Sequence, residues 1–434
     1  MRVLILSFYF APQNTMAAHR LTGLAAYLRE QGHEVRVVAA RMSNVPKDPG
    51  EVGDIVVART WVPSLDIPGL LQRNLQRLRL RRMDAGIAAA PAWIGPVMRL
   101  GRWLERLYRN LMFWPDERIG WFLSALLPSL RLCRHWRPEL IYASSPPATA
   151  LALGWALRQI CGVPWVAEIR DRWADDPYIS RPRWRRRFEH RLENVILSSA
   201  SGLVTVSQTW AEFYGSRYRV PMAVVYNGFD PDAYHHTDMA HGETQLLRIV
   251  YTGSVYAGRD PTPLWQALAG MGKDAENVRV EFYGAKPSEV LPGAARHGVD
   301  HLVSVQEYVP HTEAVRLQCG ADILLMLQWV NPSEAGNMPG KLFEYLGARR
   351  PILVLGYDGG EMARIVRERR AGLFSNDSEE ISTHVRYWIE AKRRAGFVEE
   401  LPVSASAGYT RQEQFQQLNN FFRALRDGSA SADG

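Results

Sequence analysis

The sequence has little cysteine and no long hydrophobic run, and each of these absences excludes a class of protein. Three cysteines, Cys133, Cys161 and Cys319, are far apart in 434 residues and match no metal-ligand spacing. A disulfide framework is therefore not expected, and free thiols suit a reducing cytoplasm. The most apolar stretches, residues 85–100 and 119–130, are interrupted or bounded by prolines and charges. They stay well short of the ~18 residues that cross a bilayer, so no membrane span is expected.

Other absences concern processing and catalysis. After Arg2, the apolar run Val3 to Phe10 has no small-residue cleavage site, and an amphipathic helix over residues 19–31 follows it. This pattern indicates a first strand and not a signal peptide. The sequence contains no metal-ligand cluster, no catalytic Cys-His pair and no Walker-type phosphate loop. We expect a cytoplasmic protein that needs neither a metal nor a bound cofactor.

Arginine, in contrast, is abundant. Lys and Arg total 52 against 45 Asp and Glu, which leaves a net charge of +7. The excess gathers in three clusters, Arg73–Arg82, Arg99–Arg109 and Arg181–Arg191, and tryptophans are interleaved with the last two. Tryptophan and arginine together on helices favour the interface of an anionic membrane, where each basic residue contributes about 1 kcal/mol. A solvated helical face and a nucleic-acid site are the alternatives; we expect the membrane and no nucleic acid.

The length and the order of elements predict two α/β domains, because 434 residues exceed what one hydrophobic core usually supports. Apolar strand-like runs alternate with helix-like segments in both halves of the chain. This alternation predicts two doubly wound parallel sheets with right-handed crossovers. The predicted strands are residues 3–10, 34–40, 140–144, 165–169 and 202–207 in the first half, and 248–252, 278–283, 302–305, 321–327 and 351–355 in the second.

The segment NMPGKLFEYLGARRPILVLG, residues 337–356, is the most informative stretch of the chain. A Pro-Gly turn opens a short helix, and an apolar strand follows it. The backbone N–H groups of the first turn are free to receive phosphate oxygens at the positive end of the helix dipole. They belong to Gly340, Lys341, Leu342 and Phe343. Lys341 adds a formal charge, and Glu344 is placed one turn further on to accept hydrogen bonds from the hydroxyls of a ribose.

This segment resembles the donor-binding signature of the retaining glycosyltransferases of family 4, similar to those of exopolysaccharide and O-antigen assembly. Members of that family have the GT-B fold, in which two Rossmann-like domains with doubly wound parallel sheets face each other across a cleft. The resemblance implies an acceptor domain over residues 1–228, with an Arg- and Trp-rich helical insertion at about 60–137, and a nucleotide-sugar donor domain over 229–408. A terminal helix over 409–427 would cross back to the first domain, and residues 428–434 are expected to be a disordered tail.

The family usually carries two glutamates, the first near the donor sugar and the second on the ribose. Glu344 corresponds to the second glutamate, whereas the first would fall on Gly336. Glu334 lies two positions away and is the candidate to reach the donor sugar in its place.

Loops at the carboxyl ends of the first-half strands supply acceptor-side candidates, because open parallel sheets bind ligands there. After the first strand, relatives have a small-residue turn, often two glycines, where this chain has Ala17, Ala18 and then His19. After strand 140–144, some relatives place a histidine beside the transferred sugar, where this chain has Ser144 and Ser145. A solvent-facing His19 is the alternative to a ligand contact.

The loop of residues 167–176 adds three charged candidates. Glu168, Arg170 and Asp171 follow a buried strand, where unpaired charges would be costly. The Arg-Asp-x-Trp pattern is similar to one in glycosyltransferases of polysaccharide assembly. Asp171 is the candidate to orient or deprotonate the acceptor hydroxyl, with Arg170 as its partner or as a phosphate contact. A structural pair of Arg170 with Asp171 or Glu168 is the alternative.

The second half supplies further donor-side candidates. Gly253 follows its first strand and lets the chain turn near phosphates. Arg259 occupies approximately the place where relatives put a basic residue against the donor diphosphate, where it would stabilise the leaving nucleotide. A surface pair of Arg259 with Asp260 is the alternative. Tyr283 ends the next strand, where relatives seat the base.

The resemblance implies a retaining glycosyltransferase that moves a hexose-type sugar from a nucleotide diphosphate, UDP or GDP, to a hydroxyl of a growing cell-surface glycan. A basic, aromatic acceptor side fits an acceptor on an anionic polyprenyl diphosphate, and docking to the inner face of the plasma membrane. A nucleotide-sugar epimerase of the same fold and a catalytically weak glycan- or lipid-binding scaffold are the alternatives.

Overall fold

A computed structural model describes residues 1–41, 51–65, 94–179, 181–235, 245–256 and 258–428, which form two compact units. The first unit comprises Met1–Val204, Gly215–Ala223 and Phe421–Gly434, and the second comprises Thr205–Tyr214 and Val224–Asn420. The cluster Arg73–Arg82 and the predicted tail beyond Gly428 lie outside the described residues. The domain boundaries expected from the resemblance stay predictions.

The sheet of the first unit has eight strands in the order β3-β4-β2-β1-β5-β6-β7-β8. The strands are β1 Arg2–Ser7, β2 Glu34–Ala40, β3 Glu51–Val52, β4 Ile55–Thr60, β5 Leu140–Ser145, β6 Trp165–Ile169, β7 Gly202–Thr205 and β8 Met222–Val224. The central strands pair in parallel, and β3 and β4 pair antiparallel at one edge. Residues 3–6 are fully buried, as expected for a parallel strand that is covered on both faces.

Helices accompany these strands in the alternating order that the sequence predicts. They are Met16–Glu30, Ile94–Met112, Gly120–His135, Thr149–Cys161 and Arg183–Leu197. The helix Thr149–Cys161 approaches the sheet closely, because a Cβ at Gly154 would lie only 2.7 Å from the ring of Trp165. No helix in the described parts of the chain is long and apolar enough to cross a membrane.

The sheet of the second unit has six parallel strands in the order β11-β10-β9-β12-β13-β14. The strands are β9 Leu247–Thr252, β10 Val278–Tyr283, β11 Val303–Gln306, β12 Ile323–Leu327, β13 Ile352–Leu355 and β14 Gly372–Phe374. The helix Gln208–Gly215 precedes β8. The helices after β8 are Asp232–His235, Thr262–Met271, Pro287–Arg296, His311–Cys319, Gly340–Gly347, Glu361–Glu368, Ser378–Ala395 and Arg411–Arg426. Apolar clusters lie on both faces of this sheet, one around Trp265 and the other around Phe343.

The predicted fold class is confirmed, since both sheets are doubly wound and largely parallel. The order of strands reverses between β1 and β5 in the first sheet and between β9 and β12 in the second. Ligands of open parallel sheets bind at the carboxyl ends of the strands beside such a reversal. The loops after these four strands are therefore the places to expect ligand-binding residues.

Candidate functional site

The short helix Gly340–Gly347 presents an uncapped N-terminus in the second unit. Pro339 is its N-cap residue, and no side chain caps the first turn. The N–H groups of Gly340 and Lys341 precede any carbonyl that the helix itself could offer, so they remain available to an anion. The N–H of Leu342 donates to Pro339 O at 3.1 Å and its side chain is fully buried, while a contact of this N–H with phosphate stays a prediction. Leu342 anchors the helix to the core.

Lys341 meets the loop that follows β9. Its Nζ lies 4.3 Å from the centre of the Tyr251 ring. Gly253 has a φ of +119°, a conformation that favours glycine, and a Cβ there would lie 2.5 Å from Nζ and displace the flexible end of the lysine. Burial, and next the charge of Arg259, lower the pKa of Lys341 to about 7, although Glu344 opposes the change. A bound anion would offset both causes and restore the charge.

Arg259 faces the same cluster of charges. Its guanidinium lies 4.0 Å from the centre of the Tyr256 ring, and Nη1 donates to Ser254 O at 3.4 Å. Asp260 caps the next helix instead of pairing with it, since Oδ1 accepts hydrogen bonds from Thr262 N at 2.9 Å and from Thr262 Oγ1 at 2.6 Å. Within the described residues, no ion pair joins Arg259 to Asp260. The alternative of a surface pair is therefore not observed.

Glu344 is buried and is oriented by Gln318. The amide of Gln318 donates to Glu344 Oε2 at 3.5 Å and to Thr252 Oγ1 at 3.1 Å. Two buried polar atoms of this region, Gln318 Oε1 and Tyr234 Oη, have no hydrogen-bond partner within the described parts of the chain. Burial, and next the charge of Glu344, hold the pKa of Tyr234 well above its usual range. Such unsatisfied groups beside a carboxylate fit a polar ligand.

The indole ring of Trp210 leaves no room for a glutamate at Gly336, where the family pattern has its first glutamate. A Cβ at Gly336 would lie 2.6 Å from the buried indole of Trp210, so no larger side chain fits there. Glu334 is itself buried, and its Oε2 accepts a hydrogen bond from Asn337 Nδ2 at 2.9 Å. Gln328, directly after β12, holds this loop by donating to Glu334 O at 3.1 Å and to Asn337 O at 3.3 Å. A contact of Glu334 with the donor sugar stays a prediction.

Tyr283 lies at the carboxyl end of β10, as predicted. Its carbonyl accepts the N–H of Gly253 at 2.6 Å, which joins it to the loop of the lysine. Its hydroxyl donates to Glu281 Oε2 at 2.9 Å, and Glu281 is also paired with Arg248 at 2.9 Å. Only the ring edge and the backbone of Tyr283 therefore remain to meet a base.

In the first unit, a buried ion pair occupies the reversal point between β1 and β5. Arg20 Nη2 lies 2.8 Å from Glu168 Oε1, and neither side chain is exposed beyond 1%. Ser144 Oγ donates to Glu168 Oε2 at 2.5 Å. Burial would raise the pKa of Glu168, but Arg20 and then Arg170 outweigh it and lower that pKa. The hydroxyl of Ser144 is thus engaged, and Ser145 is buried beside it.

Arg170 belongs to the same network. Its Nε lies 3.8 Å from Glu168 Oε2 and donates to Ser145 O at 3.1 Å. The structural pair with Glu168, given as an alternative from the sequence, is therefore present. Asp171 is exposed at the carboxyl edge of the sheet, and its catalytic role stays a prediction.

Ala17 and Ala18 do not lie in a loop as expected. The helix begins at Met16, because Thr15 caps it by accepting a hydrogen bond from Ala18 N at 3.2 Å. Both alanines are buried in its first turn, and β1 ends at Ser7 instead of Phe10. His19 is half-buried, and its Nε2 lies 2.7 Å from Asn14 Oδ1.

Arginine residues of the helix Arg183–Leu197 divide into buried and exposed positions. Arg185 is buried and pairs with Glu189 at 2.9 Å, whereas Arg183, Arg187 and Arg191 are exposed. Arg185 therefore does not belong to an exposed basic face of the cluster Arg181–Arg191.

Sequence reasoning missed several residues that shape these sites. Arg20 had a detectable signal, because it shares a four-residue spacing with Leu24 and Leu28 on the buried helix face. A charge on such a face indicates a buried partner. Gln318 and Trp210 had no local signal, since they come from helices far from the motif they support.

The comparison with known families agrees with this geometry. Residues 17–228 match a family described as glycosyl transferase 4-like domain. Residues 17–228 therefore form a glycosyl transferase 4-like domain, which marks the protein as a transferase. No curated protein sequence matches it.

Solved structures of the GT-B fold are similar to this glycosyltransferase over nearly all of its length. Sucrose-phosphate synthase from Thermosynechococcus elongatus has a TM-score of 0.65 at 12% identity and covers 99% of this chain and 100% of its own. Anabaena HepE, solved with UDP and glucose, has a TM-score of 0.62 at 15% identity, with coverages of 98% and 100%. The lipopolysaccharide outer core galactosyltransferase WaaB has a TM-score of 0.59 at 11% identity, with coverages of 98% and 99%. At these identities the likeness shows the fold.

Proposed function

We propose that this glycosyltransferase moves a hexose-type sugar from a nucleotide diphosphate, UDP or GDP, to a hydroxyl of a lipid-linked glycan in cell-surface polysaccharide synthesis, with retention at the anomeric carbon. The observation that carries the proposal is the cluster of Lys341 and Arg259 at the uncapped helix N-terminus, where the pKa of Lys341 is lowered to about 7. Two basic side chains beside the free N–H groups of a helix N-terminus favour a diphosphate. The complex of HepE with UDP and glucose supports the choice of donor class.

Each donor-side residue has a distinct task in this proposal. Lys341 Nζ and the N–H groups of Gly340 and Lys341 receive phosphate oxygens, and Arg259 lies against the same diphosphate. Glu344 accepts hydrogen bonds from the ribose hydroxyls, with Gln318 fixing its orientation at 3.5 Å. Because Gly253 has no side chain, Lys341 Nζ can lie directly against the loop after β9.

Transfer with retention then needs no protein nucleophile. The bond between the anomeric carbon and the leaving phosphate oxygen breaks, and the acceptor oxygen bonds to that carbon on the same face. The acceptor proton passes to the leaving diphosphate, and Asp171 orients the acceptor hydroxyl. Lys341 and Arg259 stabilise the negative charge that develops on the diphosphate.

Membrane docking at the inner face of the plasma membrane completes the proposal. Trp103, at 58%, and Leu104, at 50%, are exposed on the helix Ile94–Met112, and Trp184 and Phe188 are exposed on Arg183–Leu197. Arg183 and Arg187 lie beside the two aromatic residues of the second helix. Aromatic side chains at headgroup depth and arginines near anionic lipids fit this surface.

Nucleotide binding is tested first with Glu344→Ala. We expect UDP or GDP to raise the Tm of the natural protein. In Glu344→Ala the KM for the donor should rise at least roughly tenfold, because the variant loses two hydrogen bonds from the ribose hydroxyls to a carboxylate. Glu313→Ala, an exposed surface position, serves as the control. Unchanged donor kinetics for Glu344→Ala would contradict the assignment, and the absence of slow donor hydrolysis in the natural protein would favour a binding scaffold.

Docking is tested by flotation with anionic vesicles. We expect Arg183→Glu with Arg187→Glu to weaken vesicle binding, because two exposed charges are reversed at the interface. Arg134→Glu on the helix Gly120–His135 reverses an equally exposed charge and should have little effect. Equal losses in both variants would mean that this face does not dock.

A further inference from the structure

A cationic cavity lies in the first unit. It measures about 690 Å³ and is lined by Arg106, Arg109, Arg181 and Arg185, with Asp116 and Glu117 as the acidic residues. We propose that this arginine pocket binds the diphosphate group of the lipid that carries the acceptor, an inference that rests on the proposed function and names its acceptor class.

The four arginines differ in how much of their hydrogen-bonding capacity is used. Arg185 is engaged by Glu189 at 2.9 Å and by Phe113 O at 2.7 Å. Arg181 lies 3.2 Å from the same Glu189, and Arg109 pairs with Glu117. Arg106 is exposed, and no ion pair to it occurs within the described residues. A guanidinium has five N–H donors, so Arg106 has donors for an anion, and Arg109 and Arg181 add positive charge to the cavity wall.

Diphosphate suits these donors better than a single carboxylate would. Its two phosphates carry several acceptor oxygens, and guanidinium groups bind phosphates in a bidentate manner. Four arginines against three carboxylates, Asp116, Glu117 and the Glu189 that pairs with Arg181 and Arg185, leave an excess of one positive charge around the cavity. Phe113, a buried apolar residue of the cavity wall, limits access of water to such an ion pair.

Three hydrogen bonds connect the pocket to the loops expected to hold the acceptor. Asp116 accepts from Thr149 N and Thr149 Oγ1, both at 2.8 Å, and Thr149 begins the helix that follows β5. Arg181 Nη1 donates at 2.9 Å to the carbonyl of Trp173, in the loop after β6 that also contains Asp171. The pocket is thus at the carboxyl end of the sheet, on the side where acceptor binding is expected.

The surroundings of the pocket favour a lipid-borne diphosphate over a free one. Arg106 and Arg109 share their helix with the exposed Trp103, Leu104 and Leu107, and Arg185 is flanked on its helix by the exposed Trp184. The adjacent Ile179 is also 50% exposed. An arginine pocket bordered by exposed apolar side chains fits a phosphate headgroup whose hydrocarbon chain stays in the bilayer.

Vesicle binding of the full chain tests this inference. One set of phosphatidylcholine vesicles carries a polyprenyl diphosphate, and a second set carries phosphatidylglycerol adjusted to the same zeta potential. We expect tighter binding to the diphosphate vesicles than to the phosphatidylglycerol vesicles. Arg106→Ala should weaken binding to the diphosphate vesicles roughly tenfold and should change binding to the phosphatidylglycerol vesicles little. Soluble inorganic pyrophosphate should compete only for the diphosphate vesicles.

Matched variants separate a site from general charge. Arg187→Ala removes a charge of the neighbouring basic helix that does not line the pocket, and it should weaken binding to both vesicle sets equally. Equal binding of the natural protein to both sets, or equal losses in Arg106→Ala and Arg187→Ala, would overturn the pocket. If Arg106→Ala fails to fold, Arg109→Ala tests the same expectation. Because no donor is present, this result is independent of whether UDP or GDP binds.

Discussion

Lys341 lies where burial and a neighbouring guanidinium both oppose its charge, so its pKa of about 7 is far below the usual 10.5. Between these values the unfolded chain binds more protons than the folded protein does. The contribution of Lys341 to stability therefore rises with pH across this window. The residue is costly to the free protein and useful only when an anion is bound.

Nucleotide affinity should consequently depend on the protonation of Lys341. We expect the affinity for UDP or GDP to fall as pH rises from about 6 to about 9, because the bound diphosphate requires the charged amine. Calorimetry in buffers of different ionisation enthalpy should detect proton uptake on binding above about pH 7. Lys341→Met should abolish the uptake and raise the Tm of the unliganded protein. Proton uptake that persists in this variant would assign the titration to another group.

Gly336 is a position at which the ring of Trp210 decides what fits. Gly336→Ala should destabilise the protein by about 1–3 kcal/mol, because a Cβ would lie 2.6 Å from the indole. Trp210→Ala combined with Gly336→Ala should cost less than the sum of the two single changes, as measured by chemical denaturation. Strictly additive losses would show that the ring does not exclude the methyl group.

Helix Met16–Glu30 is tied to β5 and β6 by the buried pair of Arg20 and Glu168. Arg20→Met should destabilise the protein by about 3–5 kcal/mol, because it leaves a buried carboxylate without its partner. Adding Glu168→Met should recover much of that loss. Arg29→Met, which removes the exposed pair with Asp54 at 3.2 Å, should cost less than about 1 kcal/mol and is the matched control.

The same pair makes stability depend on acid. The pKa of Glu168 is lowered in the folded protein, so its contribution is complete above the pKa of an unfolded glutamate. It is lost as pH falls through the lower folded-state value. A Glu168→Gln variant that kept the acid sensitivity of the natural protein would assign that sensitivity elsewhere.

The whole molecule consists of two compact units, and the proposed donor residues all belong to the second. Hydrogen exchange should therefore respond locally to UDP or GDP. We expect slower exchange in the loop after β9 and in the helix Gly340–Gly347, because ordered N–H groups become bound to phosphate. The loops after β5 and β6, in the first unit, should change little in the same experiment. Protection confined to the loops after β5 and β6 would place the nucleotide in the first unit and would contradict the assignment.

Sequence by itself determined the alternation of strands and helices, the doubly wound fold class and the short helix Gly340–Gly347 that we propose binds the diphosphate. These features follow from local periodicity, turn residues and helix geometry, which a short stretch of chain carries with it. Residues 337–356 therefore identify Lys341 and Glu344 without reference to the rest of the chain.

Only the tertiary structure decided which side chains remain available for ligands. Ser144 is engaged by Glu168, Leu342 is part of the core, and Arg185 is buried, although each has the residue type or position of a ligand contact. The partners that decide this are distant in sequence: Glu168 for Ser144, Phe113 for Arg185, Trp210 for Gly336 and Arg259 for Lys341. Burial and electrostatic coupling arise from such long-range contacts, and local sequence patterns do not contain them.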